Sequence, residues 1–291
     1  MSAEPVIAAC EWILAEPDLP RALDRLARAG CTGVELAGEP SRPDRAALAG
    51  ALAAAGLEAT SITAICMWPT QERDLAHPDA ARRRRAVEYY RACVDLAAEV
   101  GAPSIGLIPA SVGRVDALTD VTREWDLAVE GARHVAAHAA ERGIAVGVEA
   151  VNRYETFLVR TAEAALSFAA DVGAANVGVV LDAFHMQLEE PDPAAALALA
   201  APDLLALHLA DSNRRGLGQG HLDAGALVRA ARAAGYAGPL VFEFTAPGPN
   251  PFAADKGPEA MRRLDPELAA SVTAVRSMLA RDAAMTDARA R

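Results

Sequence analysis

Residues 143–156 read GIAVGVEAVNRYET, a stretch that contains a glycine, a short apolar run ending at Glu149, and a polar segment. Over the preceding residues, 122–141, apolar side chains recur at helical spacing. A glycine just beyond a helix end adopts the left-handed conformation that other residues resist, and it turns the chain into the next element. The stretch therefore predicts a helix, a tight turn and a buried strand that ends in polar residues.

The same unit recurs along the chain. Its apolar runs are continuous and do not alternate apolar with polar residues, which is typical of parallel strands that helices cover on both faces. VIAAC (6–10) is the first apolar run, and the others follow Gly30, Gly56, Gly101, Gly143, Gly173, Pro202 and Gly235. Helical periodicity fills the segments between them, namely 19–29, 44–55, 80–100, 122–141, 161–172 and 224–234.

Eight such units of roughly 36 residues predict an α/β protein, a single (β/α)8 TIM barrel. We expect one domain over residues 1–291, because no linker or low-complexity segment interrupts the repeat. The Ala- and Arg-rich end, from about residue 279 to residue 291, is expected to be a frayed tail. A doubly wound open sheet is the alternative architecture.

The charge balance argues against one class of partner. Lys and Arg total 28 against 39 Asp and Glu, so the formal net charge is −11, opposite in sign to a surface that binds phosphate backbones. The start of the chain is acidic where a signal peptide is basic, and no apolar run approaches the roughly 18 residues of a membrane span. The four cysteines form no C-x-x-C pair, which fits a reducing compartment. We therefore expect a cytoplasmic protein without nucleic-acid or membrane partners.

Polar residues at the C-terminal ends of barrel strands are the candidates for chemistry. The last four predicted strands each supply one such residue, and these are Glu149, Asp182, His208 and Glu243. They are 33, 26 and 35 residues apart, about one repeat each, so adjacent strands bring them to one mouth of the barrel. Their apolar neighbours make ionised carboxylates costly unless a cation is present.

Three carboxylates and one imidazole suit Mn²⁺ or Mg²⁺ better than a structural zinc, and Mn²⁺ is the predicted ion. Octahedral coordination by four protein ligands leaves two positions for neighbouring oxygens of a substrate, such as a ketone and the adjacent hydroxyl. The cation polarises the carbonyl and stabilises an enediolate. The competing interpretation is four unrelated polar strand ends, which requires their spacing to follow the repeat by accident.

Four stretches in the second half of the chain carry a resemblance to a known family: VEAVNRYET (148–156), NVGVVLDAFHMQLEE (176–190), LHLADSNRRGLGQGHLD (207–223) and GYAGPLVFEF (235–244). They resemble the xylose isomerase-like TIM barrels and, within them, ketose 3-epimerases such as D-tagatose 3-epimerase and D-allulose 3-epimerase. The resemblance implies that the same four residues, Glu149, Asp182, His208 and Glu243, bind Mn²⁺ or Co²⁺. It also implies that Glu149 and Glu243 lie on opposite faces of the substrate and epimerise it through a cis-enediolate.

The resemblance implies further contacts with the sugar. Glu155, His185 and Arg214 match residues that hold the reacting end, and Cys66 matches a pocket residue near the far end. Arg is permanently cationic and stabilises developing oxyanion charge, while His and Glu orient hydroxyls. Relatives are often dimers or tetramers, which predicts a homo-oligomer. The segment IGLIPASVGRVDAL (105–118) lacks the aromatic, proline-rich loop of a typical ketose epimerase, so the sugar's identity stays open.

The predicted function is epimerisation or isomerisation of an unphosphorylated ketose or keto-sugar. Other reactions of the same superfamily begin with the same proton abstraction, namely keto C-glycoside cleavage, inosose isomerisation or dehydration, and hydroxypyruvate-type isomerisation. A non-catalytic sugar-binding barrel is a remote alternative. An apurinic-site endonuclease needs many zinc-binding histidines, and none of the six histidines ends predicted strand two or four.

Overall fold

Eight parallel strands close into a ring in the computed structural model, which describes residues 5–42, 45–250 and 253–289. Each strand pairs with the next one along the chain, and the last pairs with the first. The predicted (β/α)8 barrel is confirmed, and the open sheet is wrong because the ring has no edge strand. The strands are β1 (Ile7–Cys10), β2 (Gly33–Gly38), β3 (Glu58–Ala64), β4 (Ser104–Leu107), β5 (Ala145–Glu149), β6 (Val177–Asp182), β7 (Leu204–Leu209) and β8 (Leu240–Phe242).

The helices that the sequence predicts are present, with ends shifted by a few residues at most. Residue 44, where the second predicted helix starts, lies outside the described residues, and a 3₁₀ turn at Arg45–Ala47 precedes that helix. The helices are α1 (Leu19–Ala29), α2 (Leu48–Ala55), α3 (Ala80–Val100), α4 (Val121–Ala140), α5 (Ala162–Val172), α6 (Ala183–Glu189), α7 (Pro193–Ala200), α8 (Ala224–Ala233) and α9 (Pro258–Arg289).

Three of these helices, α6, α7 and α9, were not among the segments predicted from helical periodicity. The expected tail overlaps the end of α9, since residues 279–289 are helical and residues 290–291 lie outside the described part. Fraying of this end stays a prediction. Within the described residues, no helix combines the length and apolar character needed to cross a membrane.

Short polar signals set the turns between helices and strands. Gly30 ends α1 with a φ of +91°, and Gly101 ends α3 with a φ of +74°, both in the left-handed region that glycine adopts without strain. Asp79 begins α3 by accepting hydrogen bonds from two backbone N–H groups of the first turn. These signals fix where a helix begins, where it ends and where the chain turns into the next strand.

A small apolar cluster lies apart from the main core, directly after three neighbouring strands. Cys66, Ile108 and Val151 follow β3, β4 and β5, and their side chains pack on one another. The clustering places these residues together at the C-terminal mouth, where barrels bind ligands.

Candidate active site

The four residues predicted as metal ligands converge at the C-terminal mouth of the barrel. Glu149 and Asp182 are the last residues of β5 and β6, His208 lies near the end of β7, and Glu243 directly follows β8. One nitrogen or oxygen atom from each lies within 4.8 Å of the others, and all four residues are buried. The four residues that the sequence predicted from the ends of the strands are therefore the same four that cluster in the structure.

Strand register explains this convergence. Asp182 pairs with His208 across β6 and β7, whereas Glu149 pairs with Val180, two residues before Asp182. Because side chains alternate along a strand, Asp182 shares a face with Val180 and hence with Glu149. His208 in turn pairs with Val241, two residues before Glu243. All four side chains consequently lie on the same face of the sheet, the interior of the barrel.

Two cationic groups compensate the carboxylates. The Arg214 guanidinium hydrogen-bonds Asp182 through Nη1 and lies 3.1 Å from Glu243 Oε2 through Nη2. His208 Nδ1 is 2.9 Å from Glu243 Oε2 and 3.7 Å from Glu149 Oε1. Arg214 lies on the loop after β7 and adopts a φ of +59°, an unusual conformation for a residue other than glycine. The chain thus places a permanent cation against the carboxylates.

Burial and these contacts shift the protonation of the site. Burial raises the pKa of Glu149 well above its usual range, and the negative charge of Glu243 adds to the effect. Burial alone would lower the pKa of His208, but attraction to Glu35 and the hydrogen bond with Glu243 outweigh it and raise the pKa. Burial opposes ionisation of Asp182 too, yet attraction to Arg214 holds the pKa of that carboxyl below its ordinary value.

The donor set fits one divalent cation. An ion with ligands at about 2.1 Å holds opposite ligand atoms about 4.2 Å apart, close to the spread of the four residues. Carboxylate and imidazole donors suit hard or intermediate cations, and the cation offsets negative charge that is costly when buried. Glu149, Asp182, His208 and Glu243 are therefore the residues that would hold a metal ion.

Proton competition gives a first prediction. A metal ligand must be deprotonated, and the pKa values of Glu149 and His208 are both raised in the metal-free protein. The affinity for Mn²⁺ is therefore expected to rise with pH, and binding is expected to release protons. Titration calorimetry between about pH 6 and pH 8, in buffers of different ionisation enthalpy, measures both effects. An affinity that is constant over this range contradicts the prediction.

The four residues predicted to contact the substrate all line one cavity. This cavity has a volume of about 240 Å³ and also contacts Glu149 and Glu243. Apolar side chains cover the wall around Cys66, whose burial raises the pKa of the thiol to about 12 and keeps it neutral. The predicted substrate contacts in the cavity wall are Cys66, Glu155, His185 and Arg214.

Asn152 is a member of this site that sequence reasoning missed. Its Oδ1 accepts a hydrogen bond from the Tyr154 backbone N–H, so its amide nitrogen faces His185 Nδ1 at 2.7 Å and Glu155 Oε1 at 2.9 Å. His185 Nδ1 therefore accepts, which leaves the proton on Nε2. Burial lowers the pKa of His185 to about 4, so the ring is neutral near pH 7 and presents Nε2–H as a donor.

Glu35, on β2, is a second residue that the sequence did not bring into the site. Its carboxylate contacts His208 from the far side of the ring, at 3.3 Å from Nε2. The available signal is a lone acidic residue within the otherwise apolar strand GVELAG (33–38).

Comparisons with known proteins agree with this geometry. Residues 23–264 match the family model described as xylose isomerase-like TIM barrel. An L-ribulose 3-epimerase from Mesorhizobium japonicum is 33% identical over 231 residues, which cover 79% of this chain and 76% of that protein. A D-psicose 3-epimerase from Agrobacterium fabrum is 32% identical over 177 residues, 60% of this chain and 61% of that protein.

Solved structures give the same result for the whole chain. A structure of L-ribulose 3-epimerase superposes with a TM-score of 0.86 at 25% identity, covering 99% of this chain and 98% of that one. The family match spans most of the barrel, including all four converging side chains. On these grounds the chain belongs to the xylose isomerase-like TIM barrel family.

Proposed function

We propose that this protein is a metal-dependent epimerase that inverts C3 of an unphosphorylated ketose. The observation that carries the proposal is the pair Glu149 and Glu243, two buried carboxylates that line one cavity from strands three positions apart in the ring. Epimerisation through two bases needs such a pair, because one group removes a proton and another returns it from the other face. The related L-ribulose and D-psicose 3-epimerases support the choice of C3.

In the proposed mechanism the carboxylates move the proton. Glu149 takes the proton from C3, and Glu243 supplies one to the opposite face of the resulting cis-enediolate; the roles reverse for the other epimer. Burial raises the pKa of the Glu149 carboxyl in the metal-free protein, so Glu149 acts as a base only in the deprotonated form that would also bind a cation. A bound divalent cation would polarise the ketone and stabilise negative charge on its oxygen.

Three other side chains orient the reacting end. The Nε2–H of His185 is a neutral donor for a substrate oxygen, and Glu155 accepts from a hydroxyl. Arg214 adds a permanent positive charge beside the oxygen on which charge develops. These roles stabilise the charged transition state more than the neutral sugar, as catalysis requires.

The cavity favours a sugar without a phosphate. Of the described residues that line it, Arg214 alone carries a guanidinium or ammonium group, and that group already pairs with Asp182 and Glu243. A phosphate dianion needs several donors or unpaired cations. The wall formed by Cys66, Ile108 and neighbouring aliphatic side chains instead suits the carbon chain of a free pentulose or hexulose.

The ion, the assembly and the location of the protein also belong to this proposal. We favour Mn²⁺ because three of the four donors are carboxylates, with Co²⁺ or Mg²⁺ as alternatives. We also propose a homo-oligomer, either a dimer or a tetramer, located in the cytoplasm. The four unpaired, buried cysteines are compatible with a reducing compartment.

Proton NMR in D₂O tests the proposed reaction. The protein is loaded with Mn²⁺, or with diamagnetic Mg²⁺ where Mn²⁺ broadens the lines of the spectrum. Free ketoses, keto-glycosides and inososes are then supplied in turn. Deuterium incorporation at C3 with formation of the C3 epimer is the expected result. Bond cleavage or dehydration would instead assign a lyase reaction. Binding of ketoses without any exchange, in metal-loaded protein, would indicate a sugar-binding barrel.

The proposed metal site gives a second prediction. Asp182→Asn removes one anionic ligand and is expected to weaken Mn²⁺ binding about 100-fold or more, since even residues that only support a ligand change affinity by 10–100-fold. Calorimetry on the folded variant measures the change. Asp203→Asn, which changes an exposed aspartate directly before β7, at the end of the strand away from the site, is the matched control. An unchanged Mn²⁺ affinity in Asp182→Asn would remove this residue from the site.

A further inference from the structure

The carboxylate of Glu35 is buried inside the barrel and has no role in the proposed proton transfer. Glu35 lies within β2 and is 1% exposed. It pairs in register with Cys10 of β1, whose thiol donates a hydrogen bond to Glu35 Oε1 at 3.3 Å. The Thr63 side chain also hydrogen-bonds this carboxylate. A third partner, His208, comes from β7 across the barrel interior, with Nε2 3.3 Å from Oε1 and 3.4 Å from Oε2. A buried carboxylate with these partners needs a reason to be there.

The two nitrogens of His208 face different groups. Nδ1 faces Glu243 and Glu149, at 2.9 and 3.7 Å, whereas Nε2 faces Glu35. An imidazole that binds a cation uses the lone pair of one nitrogen and keeps a proton on the other. The partner of that second nitrogen fixes which tautomer is present and how the ring is oriented.

We propose that Glu35 is a positioning residue, which accepts the Nε2–H of His208 and thereby presents the Nδ1 lone pair to the metal site. The inference rests on the metal site of the proposed function. Glu35 is not itself a ligand in this scheme, because it contacts Nε2, whereas Glu149 and Glu243 lie beside Nδ1. Consistently, it is absent from the group of described residues whose ligand atoms lie within 4.8 Å of one another.

Cys10 has a subordinate part in the same arrangement. Its thiol contacts one oxygen of Glu35 and holds the carboxylate on the side of the barrel that His208 faces. Removing this thiol leaves the carboxylate and its contact with the ring in place. Cys10→Ala is therefore a matched variant, which changes the same hydrogen-bonded chain without removing the acceptor of the Nε2 proton.

The test combines metal affinity with the tautomer of His208. Glu35→Met, which keeps the length of the side chain but removes the acceptor of the Nε2 proton, is expected to weaken Mn²⁺ binding by about 10–100-fold in calorimetry, with a smaller loss in Cys10→Ala. Thermal unfolding without metal shows whether each variant folds. A merely structural role for Glu35 would lower the unfolding temperature and leave the Mn²⁺ affinity of the folded protein unchanged, and that result overturns the inference.

A measurement on the parent protein covers the case in which Glu35→Met fails to fold. Imidazole ¹⁵N NMR of the Mg²⁺-loaded parent is expected to show His208 protonated at Nε2, and a proton on Nδ1 instead overturns the inference. If the parent binds neither Mn²⁺ nor Mg²⁺, the metal site of the proposed function fails as well. If the parent binds Mn²⁺ and Glu35→Met binds it equally well, the role of Glu35 alone fails.

Discussion

Glu149→Gln and Glu243→Gln are each expected to lower the rate of epimerisation by about 10²–10⁴-fold, the usual contribution of a positioned general base. Glutamine keeps the size of the side chain and its acceptor oxygen but cannot take a proton. The two variants are expected to differ in which substrate they still activate. A protein that retains one base still removes the proton from the epimer that presents its C3–H to that base.

Deuterium exchange in D₂O separates these cases when each C3 epimer is supplied alone. Each variant is expected to exchange the proton of one epimer only, and the two variants are expected to show opposite preferences. Because both carboxylates are also proposed ligands, the Mn²⁺ affinity is measured in parallel, and exchange is compared at saturating metal. Glu99→Gln, which changes an exposed carboxylate on α3, is the control. Parent-like turnover in either Glu149→Gln or Glu243→Gln would contradict the two-base assignment.

The sequence predicted the convergence of the four ligands because the signal was local. Each of Glu149, Asp182, His208 and Glu243 interrupts or ends an apolar run, and their spacing follows the repeat. In a closed barrel, residues at the same end of successive strands must meet. Hence neither the sugar pocket nor any distant contact was needed to find them.

Glu35 escaped the same reasoning because its partner depends on the closure of the ring. A single acidic residue inside an apolar strand gives no sign of whether it faces the barrel interior or the helices. Its contact with His208 joins β2 to β7, which are far apart in sequence and are brought opposite each other by the register of the intervening strands. Such a contact follows from the stagger of the barrel, which the apolar pattern does not specify.

The C-terminal helix shows a different limit. Ala and Arg are strong helix formers, yet the Ala- and Arg-rich end of the chain was expected to fray. Within α9, Leu264, Leu268, Val272 and Val275 are buried at spacings of three or four residues. This stripe packs α9 against α1 and α8, and it ends before residue 279, where the expected tail begins.

Arg214→Met is expected to lower turnover without weakening metal binding. The Arg214 guanidinium pairs with Asp182 and Glu243 and lies 4.9 Å above the ring of Phe184. Removing this positive charge leaves the carboxylates more negative, so Mn²⁺ binding is expected to be unchanged or tighter. Turnover is nevertheless expected to fall by about 10²–10³-fold, as when a donor to a developing oxyanion is lost.

Methionine retains an apolar stem of similar length, so the change removes the charge while leaving little unfilled volume. Arg215→Met is the matched control, because the neighbouring Arg215 pairs with Glu267 of α9, outside the cavity. This control is expected to lower the unfolding temperature and to keep the parent kcat. Steady-state kinetics at saturating Mn²⁺ with the preferred ketose, together with calorimetry, separate the two effects. If Arg214→Met keeps the parent kcat, the guanidinium only balances buried charge, and stabilisation of the enediolate must come from the metal and His185.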